Sequence, residues 1–337
     1  MRIVIVILLG IALSSAVVAG QQATGRPASR VIERADVSGG VLPWRLVQTT
    51  NQTGDRETTT ETEHIPGTDG RMVPVRETVV EVIRAGRVVR TNSETFGFAL
   101  SGQRRLLETR EVIESSTESR VQATDTTWRS DLNGRLAISE RITEDTAVTP
   151  DTRRTERTIH RPDLEGRLRP MERTDYAERQ AAPQRIQATT TESQVDVNNR
   201  WQVIEIRNRD VRSSGATEEA EERILQRDLN GTFSERERIV SRLTRENGRE
   251  EQLIETLTAR IRRTTSPRAD GGRDVVEEVE ERSPVAPGDP LRMMRRTVET
   301  TRRTGSGRWE TERQLFERDP NNRLVPTSSE IEETTER

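Results

Sequence analysis

Asp131-Leu132-Asn133-Gly134-Arg135 is a turn spelled out in five residues. Asp bonds the backbone two residues on, Asn tolerates the left-handed region, and Gly enters it without steric cost. A type I turn followed by a Gly bulge, joining two antiparallel strands, is the expected form. Variants of the motif return at Asp163–Arg167, Asp196–Arg200, Asp228–Thr232 and Asp319–Arg323. The pivot can be followed through Gly70, Gly102, Gly134, Gly166, Asn199 and Gly231, in steps of 32 or 33 residues. Chance does not produce that series, and a fixed period of this length marks a repeat architecture.

A second turn falls about halfway through each repeat. Gly86, Pro150 and Gly215 each stand 16 residues after a pivot, Gly248 stands 17 after Gly231, and Gly288 stands 16 after Gly272. Each repeat is therefore two strands of about 12 residues, about 40 Å long if fully extended. Val, Ile and Thr alternating with Glu and Arg favour strands over helices. The expected fold class is all-β: a long antiparallel meander of tandem ~32-residue β-hairpin repeats with roughly 16 to 20 strands, curved or folded over, with a propeller or a barrel as alternatives. A membrane barrel is disfavoured, because Thr, Glu and Arg are mixed on both faces where a lipid-facing wall needs an apolar band.

Numbering from the pivot sharpens the register. Position +2 holds Met72, Leu136, Leu168, Trp201, Phe233 and Leu324; position −2 holds Leu100, Leu132, Leu164, Val197 and Leu229. Position −6 holds His64, Phe96, Trp128, His160, Leu225 and Phe316. These even positions should share one face, more apolar than the other and richest near the turn. Position +6 is Glu108, Glu140, Glu172, Glu205 and Glu237, expected as a row neutralised by Arg from intervening strands. Pro74, Pro170 and Pro326 at +4 mark an edge, bulge or corner, because Pro cannot donate to a ladder. Towards the C-terminus the spacing fails: Gly272 follows Gly231 by 41 residues, which implies insertions or a changed order of turns.

The expected organisation is a signal peptide over 1–20, an N-terminal leader over 21–37, regular repeats over 38–248, irregular repeats with a Pro/Gly-rich turn over 249–300, and a final repeat with tail over 301–337. Arg2, the apolar run Ile3–Leu13 and the small residues up to Gly20 fit a signal peptide cleaved after Ala19 or Gly20. This predicts a secreted or periplasmic bacterial protein with no membrane span in the mature chain.

The chain has 337 residues, of which 30% are hydrophobic and 33% charged, too few apolar residues for a thick core. The 54 basic residues are all Arg and nearly balance 57 acidic ones, so neither disorder driven by net charge nor nucleic-acid binding is favoured. The absence of Cys excludes disulfides, thiol nucleophiles and Cys-based metal sites.

No catalytic, cofactor or metal residue is assigned. His64 and His160 share a position with Phe96 and Trp128, so they read as packing residues. The Glu row occurs once per repeat, whereas an active site occurs once per domain. The Asp-x-Asn-Gly turns offer oxygen ligands but lack the acidic density of a calcium loop. Arg200-Trp201 and Arg308-Trp309 suggest stacking, yet both Trp residues fall at +2, a packing position. The expected function is a non-enzymatic scaffold or binding surface with a cell-envelope, protein or polysaccharide partner. The alternative is an exported hydrolase or carbohydrate-binding protein using carboxylates and exposed Trp.

Overall fold

The computed structural model describes residues 28–35, 41–67, 69–99, 101–131, 133–282, 290–305, 308–319 and 323–335. The signal segment, the leader up to residue 27 and the Pro-rich stretch 283–289 with Gly288 lie outside them.

Twenty strands follow in chain order: β1 (Ala28–Ala35), β2 (Val41–Thr53), β3 (Arg56–Pro66), β4 (Met72–Ala85), β5 (Val88–Phe98), β6 (Arg104–Ser116), β7 (Arg120–Ser130), β8 (Leu136–Val148), β9 (Thr152–Pro162) and β10 (Leu168–Ala182). They continue as β11 (Arg185–Val195), β12 (Trp201–Ser214), β13 (Thr217–Arg227), β14 (Phe233–Glu246), β15 (Arg249–Glu255), β16 (Ala259–Pro267), β17 (Arg273–Glu281), β18 (Arg292–Gly305), β19 (Arg308–Arg318) and β20 (Leu324–Thr335). Each pairs antiparallel with its chain neighbours, so the all-β meander is as expected.

The meander also meets itself. β1 pairs antiparallel with β20, from Arg30 opposite Thr334 to Ala35 opposite Ser329, as well as with β2. The ladder thus returns to its start, and the barrel alternative is the one realised. Followed once round the ring, paired positions advance by about 20 residues, a stagger that fixes a strand tilt of about 35°. With strands 4.7–4.9 Å apart, a circular section has a backbone radius of about 18–19 Å. No side chain among the described residues is fully buried, so none of them fills this ring as a core.

One face lines the interior. It can be followed across strands from Val80 to Ser93, Arg110, Thr127 and Glu140, each opposite the next. Of the ten buried residues other than glycine, eight lie on this face: Thr95, Thr146, Glu205, Ala220, Ile224, Ala259, Val275 and Val279. Side chains crowd on a concave surface and spread on a convex one. The sense of the stagger, given right-handed strand twist, puts the same face inside.

Two expectations about register need correction. First, a bulge recurs at position +5, at Val75, Leu107, Ser139, Met171, Ile204, Arg236 and Thr327. One extra residue reverses the in–out alternation. Positions −6, +2 and +4 face outward as a set, while the Glu at +6 is turned to the lumen. The Pro residues at +4 adjoin this bulge, where the ladder is already interrupted. Second, the residues at −2 are not part of either face. Leu164, Val197 and Leu229 stand at the tips of their turns, fully exposed.

The changed turn order is resolved by β15 and β16. The short turn Thr256–Ala259 supplies the next turn at the rim that carries the Gly pivots. Arg268–Gly272, although built like a pivot turn with Arg268 N–H donating to the Gly272 carbonyl, lies between β16 and β17 at the opposite rim.

Candidate functional site

The lumenal wall is the one feature that the closed sheet encloses, and it is polar. Hydroxyl pairs bridge adjacent strands at Thr50–Thr59, Thr78–Thr95, Thr146–Thr155 and Thr301–Thr311, at 2.8–3.4 Å. The Glu row lies on this wall. Arg129 on β7 reaches Glu108 at 2.9 Å, and Arg161 on β9 bridges Glu140 at 3.0 Å and Glu172 at 2.8 Å. Intervening strands thus supply the cations, as the spacing implied.

The row tightens at β11 and β12. Glu192 stands directly opposite Glu205, two carboxylates face to face in register. Arg207 lies between them, with Nε 2.6 Å from Glu205 and Nη2 3.5 Å from Glu192, while Arg236 approaches Glu205 at 3.9 Å. Among the described residues Glu205 is the one buried charged residue. Burial pushes the Glu192 carboxyl up, Arg207 opposes that shift, and Glu205 and Glu172 add to it. On the same wall the Tyr176 hydroxyl donates to Glu178; burial first, then this bond, raise its pKa to about 12.

The residues singled out in the sequence are dispersed. His64 and His160 face outward, opposite Pro74 and Pro170, and each has a buried Nδ1 with no hydrogen-bond partner. Trp201 is half exposed on the outer wall, near the pivot rim. Trp309 departs from the expected +2 equivalence. It opens β19 at the opposite rim on the lumenal face, with the Arg303 guanidinium 5.9 Å from its ring centroid. The turn aspartates are occupied by their own backbone. Oδ1 of Asp131, Asp163, Asp196 and Asp228 each accepts from the amides two and four residues on, at 2.8–2.9 Å. Among the described residues no group of three or more His, Asp or Glu could hold a metal.

No family model matches the sequence, and no curated protein does. Among solved structures, the chain is similar to the FrpB iron transporter of Neisseria meningitidis at 7% identity and TM-score 0.47, over 93% of this chain and 81% of that one. It is similar to OccK5 of Pseudomonas aeruginosa at 7% identity and TM-score 0.42, over 91% and 96%. It is also similar to OccK2 of the same organism, solved with glucuronate, at 10% identity and TM-score 0.39, over 91% and 95%. At such identities the likeness concerns architecture alone, and no cargo is taken from it.

The scaffold expectation is therefore corrected. The β1–β20 pairing closes the sheet, so one of its two faces is a lumen lined by Thr hydroxyls and ion-paired carboxylates rather than an open binding surface. The hydrolase alternative is overturned with it. Carboxylates of the Glu row are held by Arg129, Arg161 and Arg207, and Trp201 is on the far side of the wall from them.

Proposed function

We propose that the protein is a water-filled conduit of the bacterial cell envelope, passing polar solutes along its lumen. The β1–β20 pairing carries this reading, because it turns a charged sheet into a tube. A backbone radius of about 18–19 Å leaves a wide aqueous bore once side chains are subtracted. Thr hydroxyls and paired charges on the wall keep that bore wetted and give a polar cargo hydrogen-bonding partners without a single tight site.

Cysteine labelling tests it, since the chain has no Cys of its own. Ser93 is lumenal and Thr124 is exposed on the outer wall. Ser93→Cys should react with a small polar maleimide and resist a maleimide-polymer wider than the bore, whereas Thr124→Cys should accept both. Equal polymer labelling at the two sites would reject a tube. A photo-crosslinker at Ser93 in cells should then capture a polar cargo that the same group at Thr124 does not; identical captures would reject passage through the lumen.

A further inference from the structure

Among the described residues the outer wall carries its aromatic side chains at one end, while Val88, Ile113, Val240 and Ile331 are exposed singly elsewhere on it. All four Phe of the chain, Phe96, Phe98, Phe233 and Phe316, face outward within six residues of a pivot, as do Trp128 and Trp201. Met72, Leu136 and Leu324 complete the band. Beyond them, at the rim itself, Leu164, Val197 and Leu229 are 108, 101 and 107% exposed, and Leu257 is 67% exposed. The opposite rim is built differently. Its turns, among them Gly54-Asp55, Gly86-Arg87, Thr117–Ser119 and Asn247-Gly248, carry no Leu, Ile, Val or Met at their tips among the described residues.

We infer that this rim inserts into the surface of a lipid bilayer and holds the tube upright on it, with the rest of the outer wall in water. The band fits lipid in four respects. It runs around the wall, over β3–β14 and β19–β20, as an isotropic medium requires and a single protein patch does not. It is aromatic-rich, as side chains at a membrane interface are. It is about 15 Å tall, half the hydrocarbon thickness of about 30 Å. Above it the wall turns charged at Glu77, Arg141, Arg173 and Arg238, which no hydrocarbon would accept.

Arginine is interleaved with the band. Arg104 lies over the Phe96 ring at 3.4 Å. The band is interrupted at β15–β18, where Arg260 pairs with Glu255 and Glu280 on the outer wall. That arc sits shallower than the rest.

Flotation of the full mature chain with vesicles of phosphatidylethanolamine and phosphatidylglycerol tests the inference. The wild type should float, and the triple variant Leu164→Asn/Val197→Asn/Leu229→Asn should lose at least tenfold in floated fraction. Because these side chains touch nothing, the variant should keep the wild-type circular dichroism and melting curve. Brominated acyl chains should quench Trp128 and Trp201, read in a Trp44→Phe/Trp309→Phe background. Failure of the wild type to float, or equal flotation of the triple variant, would overturn the proposal. So would concentration-dependent self-association abolished by the triple variant, which would make a second copy the occupant. Lumen labelling at Ser93 is read without vesicles, so the two proposals fail separately.

Discussion

Single residues set the turns. Gly134 and Gly166 hold φ of +80° and +78°, and Asn199 holds +61° in the same role. Gly134→Ala should cost about 1–2 kcal/mol, while Asn199→Gly should be neutral or stabilising, both read by thermal melting. Gly272 is required for a different reason: a Cβ there would collide with the Thr301 carbonyl oxygen of the neighbouring strand, so Gly272→Ala should lower Tm more than Gly134→Ala. Protonation matters at the turns as well. Backbone amides, first that of Arg167, hold the Asp163 carboxyl below its ordinary range. A depressed carboxylate stabilises the fold above its unfolded pKa and loses that contribution as pH falls through its folded value. The Tm gap between wild type and Asp163→Ala should therefore be full at neutral pH and close below about pH 4. Glu192 has the opposite sign. Its raised pKa favours the protonated form in the folded state, so Glu192→Gln should raise Tm at pH 7 and have little effect in acid.

Elements obey the repeat, with one device that alternation alone does not reveal. The pivots, the two turns per repeat and the Glu row were legible because Gly, Asn and Glu recur at fixed spacing. The bulge at +5 was not, because its residues are as varied as Val75, Leu107, Ser139 and Arg236; only the greater length of the even-numbered strands hints at it. Deleting Ser139 should test its role. The wall near Trp128 and Leu136 would have to turn inward or Glu140 outward, and the variant should lose several degrees in Tm and weaken the Glu140–Arg161 contact. The slip at Gly272 was visible as a broken step, but its meaning, a pivot-like turn moved to the other rim, needed the short strands β15 and β16.

At the scale of the whole molecule, closure was hidden for a physical reason. β1 carries no pivot and joins strands more than 290 residues apart, a pairing that no local pattern specifies. The same polarity that argued against a membrane barrel remains true of most of the outer wall, where Glu77, Arg141, Arg173 and Arg238 face outward. Ring closure can be checked directly. Cysteines at Val31 and Glu333, opposite each other in register, should cross-link within one chain on oxidation, whereas Val31→Cys with Thr124→Cys should not. Absence of the first product in a folded chain would leave an open sheet.

A ring in which each hairpin is held by its two neighbours has an evolutionary gauge built into it. Duplicating one 32-residue unit inserts two strands without inventing any new contact, and widens the bore by about 4 Å, since diameter grows with strand number. Loss of a unit narrows it by the same step. The calibre of such a tube is thus set by copy number, and relatives of different length should differ in the size of what they admit before they differ in chemistry.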